Sequence, residues 1–118
     1  MHEVSLCQNI LNRVLTEKAA REQNNLPFSK VNKIKVELGR LSCVEASALN
    51  FAFDAVMKGS VAEHAQLEIT HIEAKAICNA CKEVITITKL TDACPICGAY
   101  APKVIAGQDV FFKSMEVS

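Results

Sequence analysis

The sequence predicts an α+β protein: two helices packed on a small mixed β-sheet, with a cysteine-rich lobe inserted before the last strand. Three observations predict it. Apolar residues recur at three- and four-residue steps in two stretches of the first half. Short runs rich in β-branched residues follow each stretch. Four of the six cysteines then gather in two Cys-x-x-Cys pairs between residues 78 and 97.

The first helix is read over residues 3–23. Val4, Cys7, Ile10, Leu11, Val14 and Leu15 form its apolar side, and Gln8, Asn12, Arg13, Glu17, Lys18 and Arg21 its wet side. Gln23 to Pro27 breaks the pattern. Residues 31–38 read as a strand, because Ile34, Val36 and Leu38 alternate with Lys33, Lys35 and Glu37. Gly39 ends it. Ser42-Cys43-Val44-Glu45 has the spacing of a capping box, which places Cys43 in the first turn of the second helix. Ala48, Leu49, Phe51, Ala52, Ala55 and Val56 form the apolar side of that helix, and Lys58-Gly59 closes it.

An extended segment begins at Gln66. Leu67 and Ile69 share one parity, while Ile72, Ala74 and Ala76 share the other, so the register changes near Thr70-His71. Val84 to Thr88 forms a strand in the lobe, with Lys103-Val104-Ile105 expected to pair with it. Val110 to Val117 is the returning strand. The domain reading is an α/β domain of residues 1–73 plus 108–118 and a cysteine lobe of residues 74–107.

Composition narrows the function. The chain has 118 residues, half of them hydrophobic, which suits one globular core. Thirteen basic residues balance thirteen acidic ones, so no charge surplus draws in phosphates. Six aromatics (five Phe, one Tyr) make a poor platform for stacked bases, and no nucleic-acid partner is expected. No apolar run approaches the ~18–20 residues that span a bilayer, and the first residues lack the basic leader of a signal peptide. A cytoplasmic setting without membrane insertion is expected, and there six cysteines need an explanation other than disulfides.

Cys78, Cys81, Cys94 and Cys97 supply one. A Cys-x-x-Cys turn places two sulfurs on one cation, and two such turns close the tetrahedron that structural zinc takes. Twelve residues separate the pairs, and Gly98 after the second lets the chain bend away from the sulfurs. Between residues 75 and 107, Lys75, Lys82, Lys89 and Lys103 stand against Glu83 and Asp92. That surplus of two positive charges offsets the two negative charges of zinc bound by four thiolates. The lobe reads as a zinc ribbon. Another metal or a cluster is the second reading and thiol redox chemistry the third. Four protein ligands leave no open position for water, so hydrolysis there is not expected.

The chain opens Met1-His2-Glu3. A histidine in second place can chelate a metal with the free α-amine of Met1 and its own amide nitrogen. Glu3 completes a square through its amide or its carboxylate. A planar nitrogen set favours Ni(II) or Cu(II) over zinc. The plainer reading is a solvated histidine with Glu3 well placed near a helix N-terminus. His64 and His71 read as ordinary surface or edge histidines, and Cys7 as a core residue. Cys43 reads as inert. No nucleophile–base pair and no Gly-rich phosphate loop is found, so no enzyme activity is expected.

These residues resemble a known family. The opening Met-His-Glu-Val-Ser-Leu-Cys, the mid-chain Glu-Leu-Gly-Arg-Leu-Ser, the double Cys-x-x-Cys and the closing Lys-Ser-Met-Glu-Val together resemble the HypA/HybF nickel metallochaperones of [NiFe]-hydrogenase maturation. The resemblance implies transient Ni(II) at His2, Met1 and Glu3 and structural Zn(II) on Cys78, Cys81, Cys94 and Cys97. It also implies delivery to the hydrogenase large subunit precursor together with a HypB-type GTPase. A monomer or weak homodimer is expected. The competing reading is a zinc-ribbon protein-interaction module or nucleic-acid adaptor without a nickel role.

Overall fold

A computed structural model describes residues 2–100 and 102–118. The order is α1 (His2–Gln23), β1 (Val31–Gly39), α2 (Ala46–Met57), β2 (Gln66–Ile72), β3 (Ala74–Ile77), β4 (Val84–Ile87), β5 (Lys103–Ala106) and β6 (Val110–Val117). The class is the expected α+β, but the strands form two three-stranded sheets. One runs β2-β1-β6 and the other β4-β3-β5. The three strands of the second sheet all fall between β2 and β6, so the lobe is inserted before the last strand.

The chain divides into two compact units. The first holds residues 1–36, 44–69 and 112–118. Its core joins Cys7, Ile10 and Val14 of α1 to Ile34 and Val36 of β1 and to Leu49, Phe53 and Met57 of α2. Only part of the expected α1 stripe is inside, since Val4 and Leu15 are about half exposed. The α2 stripe is turned from the one expected. Phe51 is 81% exposed, while Phe53 and Met57 are buried. At 100° per residue, Leu49, Ala52, Phe53 and Met57 share one face, and Phe51 lies off it.

The start of α2 also differs. Its N-cap is Glu45 with extended backbone and no side-chain cap bond, and Ser47 Oγ donates to Glu45 Oε1 at 2.6 Å. Cys43 precedes the helix with φ +62, so the expected capping box does not form. The helix dipole therefore gives no account of Cys43. Lys58 and Gly59 (φ +82) end α2 as expected.

The second unit holds residues 37–43 and 70–111. Burial along β2 alternates up to Ile69 and then slips, with Thr70 and His71 both exposed, as the parity change predicts. The core of this unit gathers Ala74, Ala76, Ile85 and Ile87 with Cys78 and Cys94. Strand β3 is central. It pairs antiparallel with β4 (Ala74↔Ile87, Ile77↔Val84) and with β5 (Ala76↔Val104, Ile77↔Lys103). Strand β5 thus pairs with β3 and not with β4, correcting the sequence reading. The alternating alanines of β3 have the small side chains that a central strand in a thin core can bury on one face.

Residues 37–43 are tied into this unit by backbone bonds. The Gly39 N–H donates to Asp109 O at 2.9 Å, Arg40 to Ile72 O at 2.9 Å and Leu41 to Gly107 O at 2.8 Å. Gly39 and Gly107 are required by closeness. A Cβ on Gly39 would strike the Gly107 carbonyl, and one on Gly107 (φ +87) would lie 2.5 Å from Ala74 Cα. No helix among the described residues is long and apolar enough to cross a membrane.

Candidate metal centre

The second unit brings the four paired cysteines together. Cys78 directly follows β3. Its N–H donates to Glu83 O at 3.0 Å, and the Lys82 N–H returns to Cys78 O at 2.9 Å. Sixteen residues later the same two bonds recur. The Cys94 N–H donates to Ala99 O at 2.8 Å and the Gly98 N–H to Cys94 O at 2.8 Å. Each knuckle turns on a left-handed residue after its second cysteine, Lys82 at φ +64 and Gly98 at φ +79. Amides point at the sulfurs within each turn, Cys81 N to Cys78 Sγ at 3.5 Å and Ile96 N to Cys94 Sγ at 3.4 Å.

The four sulfurs all lie within 4.8 Å of one another. Across the knuckles, Cys78 Sγ and Cys97 Sγ are 3.5 Å apart, and Cys81 Sγ and Cys94 Sγ 3.8 Å. A zinc ion with ~2.3 Å bonds to sulfur needs tetrahedral edges of about 3.8 Å, so this donor set fits it. Bound there, zinc would cross-link the two knuckles through four thiolates.

The thiols are not equivalent. The Cys81 N–H, aided by that of Ala80, holds the Cys78 thiol down to about 6 against the opposing effect of burial. On Cys81 the Glu83 N–H acts downward, but burial and the neighbouring sulfurs outweigh it and push the thiol up to about 12. The N–H groups of Cys97 and Ile96 lower Cys94. The Ala99 N–H favours the Cys97 thiolate, yet Cys78 and burial carry that thiol upward. The first cysteine of each knuckle is thus shifted toward the thiolate and the second away from it, and a cation bound by all four sulfurs would displace their protons.

The loop entering the second knuckle is braced by Asp92. Its Oδ2 accepts from Thr88 N and Thr88 Oγ1, each at 2.9 Å, and from Lys89 N at 3.2 Å. The Thr88 N–H is the largest of the causes that hold the Asp92 carboxyl below its usual range. Sequence reading counts Asp92 and Lys82 only as charges of the lobe and misses the brace and the turn they provide. Lys82 carried a signal, since it follows its cysteine pair as Gly98 follows the other.

At the other candidate site, Met1 lies outside the described residues. His2 opens α1, and its side chain is likewise not described. Glu3 is half-buried in the first turn of the helix. Cys7, one turn on, is fully buried and donates to Leu49 O at 3.6 Å. Burial first, and the Glu3 charge second, push its thiol up to about 11. His64 and His71 are exposed. Among the described residues, the four paired cysteines form the one cluster of three or more metal-ligating side chains.

The chain is thus of the class of small α+β proteins with a helical unit and a four-cysteine cluster that fits a structural zinc ion. Residues 1–117 match the family model described as hydrogenase/urease nickel incorporation, metallochaperone, hypA. The chain belongs to the HypA family. It is 40% identical over 117 residues to the hydrogenase maturation factor HypA of Alkalilimnicola ehrlichii and 42% identical to that of Cereibacter sphaeroides, covering 99% of each chain in both cases. Its fold is similar to the solution structure of the Ni metallochaperone HypA from Helicobacter pylori, with a TM-score of 0.64 and 22% identity. That match covers 98% of this chain and 96% of the other.

Proposed function

We propose that this chain is a nickel metallochaperone that binds Ni(II) at its amino terminus and hands it on for maturation of [NiFe]-hydrogenase. Family membership over residues 1–117 carries the reading. The relatives' names support the hydrogenase role. The nickel ligands are the Met1 amine, the His2 amide and imidazole, and Glu3 through its amide or carboxylate. Nickel handling belongs to the helical unit that carries α1, and zinc to the unit that carries the four paired cysteines. The receiving partners are a HypB-type GTPase and the hydrogenase large subunit precursor, and the setting is cytoplasmic.

The chemistry suits a carrier. A site made of one side chain and chain-end backbone is exposed and opens with little rearrangement. Ligand nitrogens must lose protons to bind, so acid competes with the metal. Nickel affinity is expected to fall as the pH drops from ~7.5 to ~6, and an unchanged affinity counts against amide ligation. The ribbon, with all its positions taken by protein sulfur, serves structure and not transfer.

The deciding experiment titrates nickel into three zinc-loaded proteins: the native chain, His2→Ala, and a chain with a few residues added before Met1. The native form is expected to bind nickel and both variants to lose it. If the extended chain binds normally, the α-amine is not a ligand. If none of the three binds, the nickel reading falls and a zinc-ribbon interaction module replaces it.

A further inference from the structure

We propose that a cavity of about 180 Å³ in the second unit receives an arginine side chain presented by a partner protein. Gly39 and Gly107 line it without side chains of their own. Ile72, Ile105 and Phe111 give it apolar walls, and its two charged lining residues are both acidic, Glu37 and Asp109. Glu37 is half-buried and Asp109 is exposed. Among the described residues neither carboxylate has an ion-pair partner.

An apolar slot with carboxylates and an aromatic ring matches a cation on an aliphatic stem. Arginine fits better than lysine. Its flat guanidinium stacks on a ring face and presents a fork to carboxylates, which a lysine ammonium cannot do. The chain already pairs two other phenylalanines this way. Arg13 lies 5.1 Å from the Phe112 ring centre and Arg21 5.5 Å from that of Phe28. Among the described residues Phe111 has no such cation, and it is 57% exposed. Ile105, 49% exposed, extends the apolar surface beside it. A lone cation would leave that surface wet, whereas residues flanking an arginine in a protein would cover it. The inference is independent of the nickel site.

The test is an NMR titration of the zinc-loaded full chain with acetyl-Ala-Leu-Arg-Leu-Ala-amide. The comparison ligands are the same peptide with citrulline for arginine and agmatine, a free guanidinium. The arginine peptide is expected to shift the Gly39, Ala106, Gly107 and Phe111 amides saturably. Loss of the charge in the citrulline peptide is expected to weaken binding about tenfold. Glu37→Gln and Phe111→Ala, each with a dispersed native spectrum, are expected to weaken it about fivefold or more. Asp109→Asn serves where either variant fails to fold. Equal binding of the citrulline peptide overturns the proposal, as do shifts that ignore all these substitutions. Agmatine binding as tightly as the peptide overturns the protein partner, leaving a small cation as the occupant.

Discussion

Four single residues show how local physics acts on the fold here. Cys7 keeps its proton in the fold up to about pH 11, against an ordinary value of 9.0. Below pH 9 both folded and unfolded chains hold the proton. Between 9 and 11 only the unfolded chain gives it up, so stability falls with rising pH, by about 2 kcal/mol for a thiol this buried. Denaturant melts of wild type and Cys7→Ala across that window check it, since the alanine chain lacks this part of the slope. The glycines separate strain from collision. A Cβ at Gly98 meets nothing within 4 Å, so Gly98→Ala costs about 1 kcal/mol of backbone strain. At Gly107 the same strain is joined by the clash with Ala74, and about 3 kcal/mol or more is expected. Equal melting temperatures for the two variants would refute this. The turn at Lys82 was not foreseen because a left-handed lysine is tolerated only where turn bonds hold it.

The same contest between local and tertiary forces decides the elements. Both helices, the first and last long strands and the slip at Thr70-His71 were legible, because each rests on a periodicity that its own residues display. The start of α2 was not. Ser42 to Glu45 has the right letters for a capping box, but the backbone bonds of Arg40, Leu41 and Ser42 and the positive φ of Cys43 take that segment elsewhere. Phe51 and Phe53 are alike in hydrophobicity, and only the packing partners choose between them. The pairing of β5 with β3 depends on contacts distant in sequence, which spacing cannot rank. Asp92 is an element-scale brace, holding Thr88 and Lys89 as the chain enters the second knuckle. Asp92→Ala is expected to speed zinc loss to a chelator about threefold or more, while Asp92→Asn, which keeps one acceptor, falls between. Zinc release followed with a chromophoric chelator reads this directly.

At the scale of the whole molecule, the chain holds two cores of unequal means. The first unit buries large side chains such as Phe53, Leu49 and Met57, while the second relies on two alanines, two isoleucines and two cysteine ligands. Zinc can contribute on the order of 10 kcal/mol to such a lobe. Chelation, or Cys97→Ser, is therefore expected to erase the amide dispersion of residues 74–106 while the helical circular dichroism of α1 and α2 persists. Loss of both signals together would refute it. The cysteine spacing announced this centre; the amino terminus announced only a set of donors. Yet α1 begins at His2. The first amides of any helix have no acceptor within it, so a metal that takes the nitrogens of residues 2 and 3 breaks no rung of the helical ladder. Under the proposed ligation, loading and unloading leave those hydrogen bonds intact, and the rest of α1 stays folded while the metal changes hands.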